Sequence, residues 1–151
     1  MDGGELTNGW VREAVTEGEW AGWTIWGSDP FEHLAGPFFC RQRDDGVMVC
    51  AFRAETKHMN GGGFMHGGCL LTFADYALFC IGGDALQGTG SVTASLHGDF
   101  VDSAAVGEFI EGGGEVVRAG GSMVFIRGLI TTGGRTLMSF SGIVKKVKSR
   151  S

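Results

Sequence analysis

Residues 68–81, GCLLTFADYALFCI, limit the fold more than any other part of the chain. The length suits a helix, and its apolar residues (Leu70, Leu71, Phe73, Ala74, Tyr76, Ala77, Leu78, Phe79) fall nearly all round it. A helix without a polar face cannot lie on a surface; other elements must wrap it. It is too short to span a bilayer, and Thr72 and Asp75 interrupt it. Gly82-Gly83 supplies a stop signal behind it.

What wraps it is legible on both sides. Residues 38–43 and 47–54 have strand character, joined by the turn Asp44-Asp45-Gly46. Four further strands follow at about 91–103, 106–117, 122–132 and 135–147, read as a meander. Glycines mark the breaks at 112–114, 120–121 and 133–134, the last pair as a two-residue hairpin. The chain has 28 glycines in 151 residues, where about 7% is usual. With 43% apolar residues they punctuate packed elements rather than form a linker. One buried helix among strands implies an α+β fold, an antiparallel sheet curled round the helix. Ahead of it, residues 5–19 read as a short helix. A loop with Trp20, Trp23 and Trp26 follows, then a turn or helix opened by Asp29-Pro30. The tryptophans are expected to cap the sheet, line a pocket or extend an interface. Residues 1–35 thus form an N-terminal helical extension of a single domain completed by 36–151.

Charge and motifs remove several functions. The net charge is -5 with no basic stripe, which argues against nucleic acid. The cationic tail Lys145, Lys146, Lys148, Arg150 reads as a solvated end or as charge near a phosphorylated ligand. Four cysteines without C-x-x-C, and a front end unlike a signal peptide, imply reduced thiols in the cytoplasm. GK[ST] and G-x-S-x-G are absent, and the four histidines show no close metal-ligand spacing, so no metal is expected. His58 and His97 read as surface or loop residues.

One constellation remains. Asn60-Gly61-Gly62-Gly63-Phe64-Met65-His66-Gly67-Gly68 runs straight into the helix. A helix start offers free N–H groups and partial positive charge, and glycine lets a ligand oxygen reach them. That suits a carbonyl gaining negative charge. Asp75 is the one acid inside the helix. It is either a structural carboxylate bonded to a neighbour or a base tuned by burial. Gly67 and Asp75 lie eight residues apart, roughly 12 Å of helix rise. To act on one carbonyl they must come from two subunits with facing helices.

The pattern of Asn60, His66, Gly67, Gly68 and Asp75 closely resembles hotdog-fold acyl-CoA thioesterases of the phenylacetate-degradation (PaaI-like) type, over roughly residues 36–147. The resemblance implies a hotdog fold and hydrolysis of acyl-CoA to acid and CoA. It implies that the Gly67 N–H polarises the thioester carbonyl beside His66, which holds the loop. Asp75 of the facing subunit then activates water or attacks. Asn60 positions substrate or water, and Thr93 orients the attacking group. Gly68 lies in the same binding loop, and Arg118, Gly120, Gly121 and Ser122 fall where the family grips CoA. It further implies a homodimer, paired into a homotetramer, needing no cofactor beyond the CoA of the substrate. Phe64, Met65, Phe73, Tyr76 and Phe79 are candidates for the acyl pocket. The rivals are a hotdog hydratase or dehydratase, whose acid-x4-Asn-x-His motif is missing, and a non-catalytic acyl-CoA binder, against which Asp75 argues.

Overall fold

The wrapped helix forms where expected, as α2 (Gly67–Ile81). The computed structural model describes residues 11–147 except residue 89. Leu70, Phe73, Ala74, Tyr76, Ala77, Leu78 and Cys80 of α2 are all buried. Each large apolar side chain so covered contributes about 1.5–3 kcal/mol. α2 ends at Ile81 with Gly82 as its C-cap, where the stop signal lies, and a separate single turn, α3 (Gly83–Leu86), follows. Beyond α3, Gly88 takes the left-handed region at φ 74°.

The wrapping sheet has eight antiparallel strands among the described residues, in the order β1-β2-β3-β4-β6-β7-β8-β5. They are β1 (Arg12–Ala14), β2 (Thr24–Trp26), β3 (Phe39–Gln42), β4 (Met48–Arg53), β5 (Gly90–Phe100), β6 (Phe109–Ala119), β7 (Met123–Thr132) and β8 (Arg135–Val147). This is the expected hotdog arrangement, with one correction. Only β6, β7 and β8 form a meander; β5 lies at the far edge, paired with β8. The crossing of α2 carries the chain from β4 to that edge, so the strand after the helix cannot join β6.

Gly112, Gly113 and Gly114 are not a break but lie inside β6. At Gly112 the role is steric. A Cβ on Gly112 would stand 2.8 Å from Cys50 Sγ and 3.1 Å from the Phe73 ring. On Gly142 of β8 it would stand 2.5 Å from Leu78 Cδ1 and 2.9 Å from the Ser95 carbonyl. Glycine in these strands lets the helix lie close to the sheet. The hairpin glycines 133 and 134 do take positive φ, 54° and 79°.

The front end needs a larger correction. Of the helix read over 5–19, residues 1–10 lie outside the described residues. Within the rest, Arg12–Ala14 is strand β1, paired with β2. The three residues Arg-Glu-Ala carry no periodicity of their own, and pairing with β2 makes them a strand. The segment's described helix is α1 (Pro30–Ala35), capped by Asp29, whose Oδ1 accepts the Glu32 N–H at 3.0 Å. Trp20 stacks on Phe39 with ring centres 4.1 Å apart, and Trp23 is buried beside it, so these two tryptophans cap the sheet.

The reduced-thiol expectation fails for one pair. Cys40 of β3 and Cys80 in the last turn of α2 form a disulfide, with Cα atoms 6.4 Å apart. They are 40 residues apart in sequence and meet where the last turn of α2 reaches β3. Cys50 and Cys69 are free. Among the described residues no helix is long and apolar enough to cross a membrane.

Two measurements check this packing. Thiol titration of denatured protein should find two reactive groups before reduction and four after it. Gly142→Ala should cost about 1–3 kcal/mol in a urea unfolding series, because the Ser95 carbonyl cannot move aside as the Leu78 methyl can.

Candidate functional site

The loop before α2 is tied at each end. Met59 and Met65 form a β-bridge, and between them Asn60 Oδ1 accepts the N–H groups of Gly62 at 2.9 Å and Phe64 at 3.2 Å. Asn60 therefore folds the loop with its carbonyl oxygen. His66 has extended backbone and caps the helix: its Nδ1 accepts the Gly68 N–H at 2.9 Å. That bond places the imidazole proton on Nε2. Gly68 is thus engaged inside the chain, while the Gly67 N–H has no partner among the described residues. A Cβ on Gly67 would sit 3.4 Å from the Phe100 ring, so that ring stands over the helix start. Cys69, one step further, is no nucleophile in waiting: burial pushes its thiol up to about 11.

His58 is not a surface residue. It is buried, accepts the Glu55 N–H on Nδ1 at 2.9 Å and bonds through Nε2 to the Ala35 carbonyl at 2.6 Å. It clamps the loop to the end of α1. The exposed His97 is as expected.

Asp75 lies two turns along α2. Thr93 of β5 donates to its Oδ1 at 2.5 Å, so the pair named from sequence does meet. Burial holds the Asp75 carboxyl above its ordinary range; the Thr93 hydrogen bond pulls it down, and the charge of Asp29 pushes it up again. Gly67 stands near Phe100 and Asp75 near Thr93, at opposite ends of β5. Within one chain the loop and the carboxylate are separate.

Asp75 opens into a cleft of about 320 Å³ lined by Asp29, Phe31, Glu32, Leu71, Thr72 and Asp75. None of the five acyl-pocket candidates lines this cleft. Phe73, Tyr76 and Met65 are core residues, Phe79 packs against that core, and Phe64 is exposed on the loop. Half of the cleft comes from α1 and its cap. No periodicity or motif in the sequence marks Asp29 and Glu32 as site residues; only the docking of a six-residue helix onto α2 brings them there.

Arg118, Gly120, Gly121 and Ser122 form the β6–β7 hairpin tip, where the Gly120 N–H bonds to the Met123 carbonyl at 2.8 Å. Met123 pairs with Lys145, and the Lys146 N–H bonds to the Ser122 carbonyl, so basic side chains gather at this end of the sheet. It is the end at which Thr93 pairs with Val144. The tail residues Lys148 and Arg150 lie outside the described residues. Among the described residues no cluster of three His, Cys, Asp or Glu side chains could hold a metal.

Comparison with known proteins finds a family and relatives. The family described as Thioesterase superfamily matches residues 62–139. A Pseudomonas aeruginosa protein named "Putative esterase PA0474" is 38% identical over 117 residues, which is 77% of this chain and 87% of that one. The BH2602 protein of Bacillus halodurans, solved with CoA, superposes with a TM-score of 0.74 at 22% identity, covering 82% of each chain. The PaaI protein of E. coli, from the phenylacetic acid degradation operon, gives 0.68 at 21% identity, over 81% of this chain and 87% of that one.

Thr93→Val should raise the Asp75 carboxyl further, since the bond it removes favours the anion. Titration of the Asp75 carboxyl carbon by NMR checks this, and an unmoved or lowered value would contradict it.

Proposed function

Because the chain belongs to the thioesterase superfamily and is a thioester hydrolase, we propose that its substrate is an acyl-CoA and that its site is shared between two copies. The observation that carries this reading is the split of the machinery along α2. One end has an unpartnered Gly67 N–H at a capped helix start; the other has a half-buried carboxylate oriented by Thr93. With roughly 12 Å of helix between them, a thioester group cannot use both in one chain. Two facing α2 helices, run antiparallel, bring the Gly67 of one copy opposite the Asp75 of the other.

In that dimer the thioester oxygen sits on the Gly67 N–H, with the helix start favouring the charge that develops there. Thr93 holds Asp75 so that its free oxygen faces a water. The water oxygen bonds to the carbonyl carbon and its proton passes to Asp75. The C–S bond then breaks, releasing acid and CoA. Attack by Asp75 itself uses the same geometry. Asn60 and His66 keep the loop in shape. No metal or organic cofactor enters this scheme, since polarisation and base both come from the chain.

The CoA is placed along the β6–β7 tip. Arg118 is exposed there and makes no ion pair among the described residues, Lys145 lies across from Met123, and Gly121 and Ser122 leave the surface open. CoA in the Bacillus halodurans relative supports this choice of substrate. A pairing of dimers into tetramers belongs to the same proposal.

Free-thiol release from a panel of acyl-CoAs tests it. Asp75→Asn should lower kcat by roughly a hundredfold or more and leave the fold intact. Mixed dimers of an Asp75→Asn chain and a Gly67→Pro chain should recover one working site of two. Tight binding without thiol release would make the protein a binder, and no recovery in mixed dimers would end the shared-site scheme.

A further inference from the structure

Glu32 is a carboxyl without a partner in the wall of the reaction cleft. It sits in the first turn of α1, where Asp29 fixes the helix start and His58 and Lys57 hold its last carbonyls, those of Ala35 and Leu34. It is half-buried and makes no hydrogen bond or ion pair with its side chain among the described residues. It lines the same cleft as Asp75, with Leu71 and Thr72 of α2 beside it and Phe31 on its own helix. A bare carboxyl in such a place is costly as an anion and cheap as an acid. Two carboxyl groups sharing one cleft, one held by a hydroxyl and the other held by nothing, are driven to different protonation states.

We propose that Glu32 is the acid of this cleft, working with Asp75 as base on one thioester. The inference rests on the thioesterase reading above. Asp75 takes a proton from the attacking water as its oxygen bonds to the carbonyl carbon. As the tetrahedral carbon collapses and the C–S bond breaks, the Glu32 carboxyl gives its proton to the departing sulfur. CoA leaves as the thiol. The proton on Asp75 then passes to Glu32, directly or through water, and both groups return to their starting states. Atoms and charge balance without a further reactant.

The surroundings fit this division. Burial is the main cause that holds Glu32 up to about 8, helped by the charges of Asp29 and Asp75. Tyr76 of α2 also faces it, and Arg12 of β1 lies beyond, nearer Tyr76. Asp75 carries the Thr93 hydroxyl, a bond that favours its anion, and Glu32 has no such bond among the described residues. In this scheme the cleft holds Asp75 as carboxylate and Glu32 as carboxylic acid, the pair that the reaction uses.

Leaving-group chemistry gives the test. The same acyl group is supplied as its CoA thioester and as a nitrothiophenyl thioester, whose thiolate needs no proton to leave. Wild-type kcat for the CoA ester should fall as pH rises through about 8, the acid being lost, while the nitrothiophenyl ester shows no such limb. Glu32→Gln keeps size and polarity but gives up no proton. It should slow the CoA ester by roughly a hundredfold and erase its alkaline limb, with little effect on the nitrothiophenyl ester. Equal slowing of both esters, or an alkaline limb that survives in Glu32→Gln, overturns the role of Glu32. If Glu32→Gln does not fold, the two wild-type profiles decide: a shared alkaline limb, or none, overturns it. Absence of thiol release from either ester by the wild-type protein would instead sink the thioesterase reading on which the role stands.

Discussion

The close seating of α2 on its sheet is the contact on which the rest depends. Phe73 and Leu78 reach the strands only because Gly112 and Gly142 carry no side chain beneath them. That seating fixes the height and rotation of the helix. With rotation fixed, Asp75 points to Thr93 and the cleft while its neighbours Ala74 and Tyr76 point into the core. With height fixed, His66 and Gly67 lie at the mouth of the sheet beside Phe100. A helix packed one Cβ further out would lose the 2.5 Å bond between Thr93 and Asp75, and the carboxyl would be buried without an orienting partner. Packing and chemistry are thus set by the same atoms.

The fold was legible wherever local signals agreed with the tertiary answer. An all-apolar helix demands a wrap, and the hairpin glycines at 46 and 133–134 have the backbone their turns require. It was illegible where a residue type has two uses. Glycines 112–114 look like a turn, yet they run inside β6, with Gly112 under Phe73 of the helix and Gly114 against the backbone of β7, and nothing local separates these uses. The position of β5 depends on where α2 delivers the chain, which is a property of the whole sheet. Residues 12–14 carry too short a pattern to tell strand from helix until β2 stands beside them.

The site divides the same way. Asn60, His66, Gly67 and Asp75 are close in sequence and act through one helix start and one helix face, so their spacing shows in the chain. Thr93 is eighteen residues beyond Asp75 and still joins it, because β5 runs back along α2. Asp29 and Glu32 are more than forty residues ahead, on an element whose own sequence says only that a helix starts at Pro30. His58 shows the cost of that silence: it reads as a loop histidine, but it is the buried pin that joins α1 to the loop before α2.

That pin gives the N-terminal segment a part in the site rather than beside it. α1 is held at its start by the Asp29 cap and at its end by His58, whose backbone carbonyl in turn accepts the His66 N–H at 2.8 Å. The wall of the cleft and the cap of α2 are therefore linked through one buried imidazole. Movement of α1 away from α2 would open the cleft and, through His58, release the residue that keeps the helix start in shape. Cys40 and Cys80 tie the far end of α2 to β3, three residues beyond Pro37 on the same segment. The segment is thus fastened behind α1, at Ala35 to the loop before the central helix and at Cys40 to that helix's last turn, and these ties steady the helix that carries Glu32.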